Sequence, residues 1–361
     1  TTVNDNLTVT GDFVPSTSLS HRNMIINGEM QVAQRNTSTV AVADGSNEGY
    51  ATLDRWNLQF GNSAGGGMTT GQDTEAPAGF GTSYKLDVTA TDTISGNELV
   101  YAYQCIEAQN MRNCGWEYTS TSSDITLSFW VRSSKTGIYC VFFSDADAGY
   151  MYTAEYTVSD ADTWEKKTIT VPGHASLVFN NDTGLGLQVG FVFGNASGRY
   201  GTAGAWLTGT HYGTSNQVNF LDSISNVMYL TGVQLELGSN ATPFEHRSYG
   251  EELALCSRYY QNSFNVGNVP GTSTSSTDAI HLISWGDGNC SGFPFQVPMR
   301  AAPSIVLRAQ GSTTTGQVGS EGTARAANSN NVGSKQLGFI AVTSGTVSTY
   351  VRFTWEADAE L

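Results

Sequence analysis

A strand, a linker and a helix follow one another between residues 227 and 261, and this succession divides the chain. Tyr229, Val233, Leu235 and Leu237 share one face of the predicted strand and alternate with polar residues such as Gln234 and Glu236. This period of two predicts a half-buried β-strand, because successive side chains of a strand point to opposite faces. The strand is predicted to end at the Gly-Ser-Asn sequence of residues 238–240.

The helix that follows has a recognisable beginning. Ser248 and Glu251 have the S-x-x-E spacing of a capping box, in which two side chains satisfy the first free amides of a helix. Pro243 lies in the linker before it. We therefore predict that one domain occupies residues 23–239, that residues 240–261 form a linker and a capped helix, and that a second domain occupies residues 262–361.

The composition favours β structure on both sides of this junction. Only 14% of the 361 residues are charged, and the 40 glycines suit many short strands joined by turns. We predict an all-β protein, with a jelly-roll β-sandwich over residues 23–239 and a smaller C-terminal β domain. Residues 24–26 and 31–33 are predicted as its first strands, and residues 61–82, 194–219 and 310–335 as long loops.

Charge and cysteine content exclude several classes of partner. A net charge of −15 with 17 Lys and Arg argues against nucleic acid, whose binding depends on clustered cations. No apolar run approaches the ~20 residues of a membrane span, so no membrane insertion is predicted. The five cysteines include no C-x-x-C pair, and we predict small buried thiols with neither a zinc site nor a disulfide framework.

Seven segments of the chain carry a family resemblance. In order they read NMIINGEMQVAQR, DRWN, ITLSFWVRSS, TWEKKTITVPG, LTGVQLELGSNATPFEHRSYGEELALCSRYYQ, FQVPMRAAPSIVL and WEADAEL. From Asn23 onward the chain resembles tail-fibre and related receptor-binding appendage proteins of tailed and marine bacteriophages. The resemblance implies a virion protein, on tail or capsid, that is made in the host cytoplasm and mediates attachment to the host cell surface.

The N-terminal segment, residues 1–22, is predicted to be one short strand. It cannot bury its apolar side chains alone. Its V-x-D-x-L-T-V-T-G pattern resembles phage fibre shafts, which implies a homotrimer and an attachment to other virion proteins through the N-terminus.

One strand suggests a sugar site. In residues 125–132, Trp130 shares a face with polar side chains, and a sugar ring stacks on an aromatic while amides and charges bind its hydroxyls. The alternative is that Trp130 packs under a loop or against another subunit. We predict a host-surface glycan as ligand and the following contacts: Trp130, Arg132, Gln188, Gln234, Glu236, Trp206, Tyr212 and Trp285.

Two other functions remain open at this stage. The chain could be a structural virion adaptor or decoration protein without receptor binding, or a polysaccharide depolymerase. The G-x-S-x-G sequence of residues 61–65 continues into Gly-Gly-Met, which does not begin a helix as a hydrolase elbow must. We predict no catalytic residue, no enzymatic activity and no cofactor, although the resemblance to jelly-roll carbohydrate-binding modules leaves a structural calcium ion open.

Overall fold

The computed structural model describes residues 21–46, 48–271, 278–284, 289–320, 323–345 and 350–361. The predicted N-terminal strand, apart from His21 and Arg22, lies outside these residues, and so does Trp285.

Two antiparallel sheets form the first domain, which ends at Leu237. Its strands are β1 (Val40–Ala43), β2 (Asn57–Gly61), β3 (Gly67–Asp73), β4 (Ser83–Ala90), β5 (Leu99–Glu107), β6 (Asp124–Ser133), β7 (Gly137–Asp145), β8 (Tyr150–Val158), β9 (Glu165–Pro172), β10 (Leu185–Asn195), β11 (Trp206–Thr208) and β12 (Val227–Leu237). Sheet A has the order β1-β3-β4-β12-β6-β9, and sheet B has the order β11-β8-β7-β10-β5-β2. A short helix, α1 (Ala108–Asn113), follows β5.

The alternation of apolar residues places the core between these sheets. On β6 of sheet A, Ile125, Leu127, Phe129 and Val131 are completely buried, as the period of two predicts. Phe129 meets Phe191 of sheet B edge to face, with ring centroids 4.9 Å apart, so the inner faces of the two sheets interdigitate. The predicted all-β class and β-sandwich are confirmed.

The second domain follows a capped helix, α2 (Tyr249–Ser257), whose first turn is capped by Ser248. Its strands are β13 (Tyr260–Asn262), β14 (Ile280–Ile283), β15 (Asn289–Pro294), β16 (Ser304–Ala309), β17 (Gln317–Ser320), β18 (Thr323–Asn330), β19 (Gln336–Val342) and β20 (Tyr350–Asp358). Strand β20 pairs with β13, β14, β16 and β17, and its Phe353 and Trp355 belong to a separate apolar core.

Four sequence predictions about strands and loops are wrong. Residues 24–26 and 31–33 form no strand, and each of the three predicted loops contains a strand: β3 lies inside residues 61–82, β11 inside residues 194–219, and β17 and β18 inside residues 310–335. Strand β18 reads TARAANSN, of which only Ala327 is buried. Such strands form through backbone pairing at a polar surface, so their side chains show no apolar alternation.

Residues 23–35 are held by side-chain hydrogen bonds in place of strand pairing. Asn27 has a positive φ of 57°, and its Nδ2 donates to the carbonyls of Val32 and Asp54 at 2.8 and 2.9 Å. Its own carbonyl accepts from the Trp56 indole at 3.1 Å. These bonds attach the segment to the residues before β2.

Buried charges connect this segment to the end of the chain. The Arg55 guanidinium lies 3.4 Å from the Tyr259 ring centroid and pairs with Glu360. Arg35 lies 3.8 Å from the Tyr260 ring centroid and 3.4 Å from Glu360. We call this cluster the joint; its members are Arg35, Asp54, Arg55, Tyr259, Tyr260 and Glu360. It ties both domains and the residues after α2 into one ion network.

Candidate functional site

The outer face of sheet B carries a group of tyrosines. On β5, Val100 and Ala102 point into the core, so Tyr101 and Tyr103 point outward, and both are half-buried. Their ring centroids are 5.2 Å apart, and the planes of the two rings are inclined by 24°, so the rings are stacked. Tyr212, from the loop after β11, lies 5.4 Å from Tyr101. We call these three residues, Tyr101, Tyr103 and Tyr212, the tyrosine face.

A buried aromatic side chain supports these rings from below. Phe142 on β7 is completely buried and meets Tyr101 and Tyr212 edge to face, at 5.5 and 4.8 Å. Gly190 of the neighbouring strand makes room for it, because a Cβ there would lie 2.3 Å from the Phe142 ring. The tyrosine face therefore packs on a small apolar cluster on the outer side of sheet B, separate from the core between the sheets.

The loop that carries Tyr212 is held at several points. The Tyr212 amide donates to the Arg199 carbonyl at 3.1 Å. The Thr153 hydroxyl, on β8, donates to the His211 carbonyl at 2.7 Å, and Nδ1 of His211 lies 2.9 Å from the Tyr200 carbonyl. Its backbone is thus anchored to sheet B, which fixes the position of the third ring.

The phenol groups of the tyrosine face are available to a ligand. Within the described ranges, the hydroxyls of Tyr101, Tyr103 and Tyr212 make no hydrogen bond to protein, and none of them is a buried unpaired atom. Burial raises the pKa of all three tyrosines above the ordinary value. They therefore stay neutral at working pH, and each can donate and accept a hydrogen bond.

Polar side chains surround the rings. Gln59 on β2 stands directly opposite Tyr101. Gln188 on β10 stands two residues from Gly190 and therefore on the same face of sheet B. The Arg199 guanidinium lies 6.0 Å from the Tyr212 ring centroid. The arrangement combines stacking surfaces with amides, the combination that binds sugar rings and their hydroxyls.

The eight predicted contacts do not form one site. Gln188 and Tyr212 lie on the outer face of sheet B, whereas Trp130 and Arg132 lie on the outer face of sheet A. Trp285 falls outside the described residues.

Gln234 and Glu236 require a correction. They do point away from the core, but they are 0% and 1% exposed because the linker covers them. Glu236 accepts from the Thr242 amide and hydroxyl at 2.8 and 2.6 Å, and Gln234 accepts from the Glu245 amide at 2.8 Å. These two side chains attach the linker to sheet A and present nothing to a ligand.

Trp206 also requires a correction. It lies on edge strand β11 and is buried, with its ring centroid 5.4 Å from that of Tyr152 and its indole nitrogen donating to the Pro172 carbonyl at 2.8 Å. Such a satisfied indole is part of the core. The aromatics of the predicted loop that are not buried are Tyr200, which is exposed, and Tyr212, which is half-buried.

Trp130 is half-buried on the outer face of sheet A, the face on which the linker also lies. The rings of Trp130 and Phe80 both lie against Gly232, where a Cβ would come within 3.0 Å of the indole. Arg132 donates to the Asp162 carbonyl at 2.8 Å and lies 3.5 Å from Glu75. Local packing thus accounts for both side chains, which is the alternative that the sequence left open for Trp130.

Sequence reasoning missed Tyr101, Tyr103 and Gln59. The signal was the Tyr-Ala-Tyr spacing in β5, which puts two aromatics on one face of a strand whose other face is apolar. The third ring could not be paired with them from sequence, because Tyr212 lies more than a hundred residues away.

Among the residues that the structure describes, no three His, Cys, Asp or Glu side chains form a group that could hold a metal ion. The buried carboxylate of Asp145 instead accepts from the amides of Asp147, Ala148 and Val178 at 3.0, 3.2 and 2.9 Å. No helix in the described ranges has the length and apolar character needed to cross a bilayer.

No protein-family model and no curated protein matches the chain. Similar solved structures include the enzymatically active domain of tailspike protein 4 of bacteriophage CBA120 (15% identity, TM-score 0.30, covering 55% of this chain and 21% of that chain). A family 11 carbohydrate-binding module of Clostridium thermocellum, in complex with a mixed-linked tetrasaccharide, shares 12% identity with a TM-score of 0.28 over 58% of this chain and 98% of the module. A family 30 module shares 10% identity with a TM-score of 0.26, over 62% and 97%. Values this low assign no family and no ligand to the chain.

Proposed function

We propose that this protein binds a host-surface glycan through the tyrosine face and serves as an attachment protein of a phage fibre or other virion appendage. The observation that carries the binding function is the set of three contacting tyrosines whose hydroxyls are open to solvent, beside the amides of Gln59 and Gln188. The virion role is supported by the sequence resemblance to phage fibre proteins.

Binding at this face uses stacking and hydrogen bonds and requires no reaction. The apolar C–H face of a sugar ring stacks on Tyr101 or Tyr103, and the phenol and amide groups bind its hydroxyls. One open face of this kind binds weakly. A homotrimer, attached to other virion proteins through its N-terminus, multiplies the affinity through effective concentration.

Tyr101→Ala tests the proposed site. We expect glycan affinity to fall by about 1–3 kcal/mol, by analogy with the loss of one aromatic stacking partner elsewhere, while the melting temperature changes by only a few degrees. The measurement is titration against an array of immobilised bacterial polysaccharides. Trp130→Ala is the matched control, since it removes a half-buried aromatic from the opposite sheet. Loss of binding in the control with retention in Tyr101→Ala would move the site to sheet A.

The trimer is tested by light scattering of the purified chain. We expect a mass three times that of the 38.5 kDa subunit, and a monomer after removal of residues 1–22, because the strand predicted there from sequence could not bury its apolar side chains without partners. A full-length monomer would contradict the proposal.

The alternative, a structural adaptor, predicts a different result with cells. Labelled protein that ignores susceptible cells but assembles with capsid or tail components would favour the adaptor. Release of reducing ends from bound polysaccharide would favour a depolymerase. We expect cell binding and no released ends.

A further inference from the structure

A second concave surface lies where the first domain, α2 and the second domain meet. It is a groove of about 310 Å³ with walls from residues 31–37, Gln72, α2, residues 261–267 and Gln296. We propose that this groove is a binding site for an uncharged saccharide of one or two sugar units. The inference is independent of the tyrosine face, with which the groove shares no residue.

The lining of the groove is polar but carries no charge. It includes five glutamines and two asparagines, and no Asp, Glu, Lys, Arg or His, in a chain of net charge −15. Charged ligands gain no ion pair from such a wall and must leave their hydration shell. Amide groups, in contrast, match the hydroxyls of a neutral sugar as donors and acceptors. The composition therefore selects an uncharged polyhydroxyl ligand.

Three of the glutamines are already oriented by the protein. The Gln72 Nε2 donates to the carbonyls of Met30 and Gln31 at 2.7 and 3.0 Å, and the Gln34 Nε2 donates to the Tyr260 carbonyl at 3.1 Å. The Gln31 Nε2 donates to a neighbouring carboxylate at 2.7 Å. Within the described residues no donor reaches the Oε1 atoms of these glutamines, and none of the three atoms is buried and unpaired. They form a fixed set of open acceptors, which suits hydroxyl donors.

Apolar surface in the same groove comes from aromatic and aliphatic side chains. Tyr249, the first residue of α2, is 41% exposed, and Phe264 and Leu253 line the groove with it. An exposed ring beside fixed amides can stack on the C–H face of a sugar. The Ser248 cap holds the first turn of α2 and with it the backbone of Tyr249.

The size and position of the groove limit its ligand. Ligand pockets span ~300–1,000 Å³ and favour domain interfaces, and this groove is at the lower end of that range. A long polysaccharide chain would not be enclosed. The walls come from both domains and from α2 between them, so the groove is formed only when the two domains are joined.

Titration calorimetry with neutral disaccharides tests the inference. The probes are maltose, cellobiose, lactose and N,N′-diacetylchitobiose, with cellobiouronic acid as the charged counterpart of cellobiose. We expect at least one neutral probe to bind and Tyr249→Ala to weaken it roughly tenfold. Tyr101→Ala, on the tyrosine face, should leave that affinity unchanged. The uronate should bind more weakly than cellobiose.

Gln296→Ala provides a second variant if Tyr249→Ala fails to fold, because Gln296 is exposed and its side chain makes no bond to the described protein. Absence of binding by all four neutral probes overturns the inference. The inference is also overturned if the affinity for a disaccharide is lost in Tyr101→Ala but kept in Tyr249→Ala and Gln296→Ala. That disaccharide would then bind at the tyrosine face, which supports the proposed function. If the tyrosine face binds no polysaccharide while disaccharides still bind in the groove, only the proposed function is overturned.

Discussion

Arg55→Ala is expected to lower the free energy of unfolding by about 3 kcal/mol, the lower end of the range for a broken buried ion pair, because Arg35 still pairs with the Glu360 carboxylate. The Arg55 side chain is 1% exposed and Glu360, with which it pairs, is 5% exposed. The substitution also removes the cation from the face of the Tyr259 ring. Urea unfolding followed by tryptophan fluorescence measures the loss.

Arg132→Ala is the matched control for this prediction. Arg132, on the outer face of sheet A, pairs with the exposed carboxylates of Glu75 and Asp162, and such pairs at the surface contribute about 0–1 kcal/mol. Equal losses in the two variants would contradict a special role for the joint. A loss confined to Arg55→Ala would show that its buried ion network stabilises the folded chain.

The second large effect concerns pH. Burial raises the pKa of Asp54 from 3.8 to about 6, in opposition to Arg35 and to the hydrogen bonds from Gln34. The folded state therefore binds the proton of this carboxyl more tightly than the unfolded state does. Its stabilising contribution is complete below pH 3.8 and is lost as the pH rises through about 6. The loss across that window is about 3 kcal/mol.

Asp54→Asn should remove this part of the pH dependence. The backbone amide of Gln34 donates to the aspartate at 2.9 Å, and it can donate to the asparagine carbonyl in the same way. The asparagine has no proton to release in this pH range. Urea midpoints of the two proteins at a series of pH values between 4 and 7 provide the measurement. If the urea midpoints of both proteins depend on pH in the same way, another group titrates in this range.

The strands with strong alternation could be predicted from sequence. In β6, and in β12 from Val233 to Leu237, the apolar residues recur at every second position, so these residues face the core in any sandwich that buries them. Earlier in β12 a register shift between Thr231 and Gln234 changes the parity, and Met228 and Leu230 are the buried residues there while Tyr229 lies opposite Arg132 on the outer face. The capped start of α2 depends on Ser248 and its neighbours alone and was also predictable. Strands β17 and β18, and the irregular segment around Asn27, lack such a pattern because backbone and side-chain hydrogen bonds hold them.

The candidate site was predicted only in part. Alternation shows that Gln234 and Trp130 point away from the core, but it does not show what covers them. The linker covers Gln234, and Trp130 packs beside Phe80. Conversely, Tyr212 meets Tyr101 only because its loop folds back over sheet B.

By itself, the sequence determined the all-β class, the inner faces of the main strands and the capped helix between the domains, since each depends on local spacing of apolar or capping residues. Only the tertiary structure decided which outward side chains remain exposed, which tyrosines meet, and how glutamines from distant segments line one groove. These depend on contacts between residues far apart in the chain, and local periodicity carries no information about such contacts.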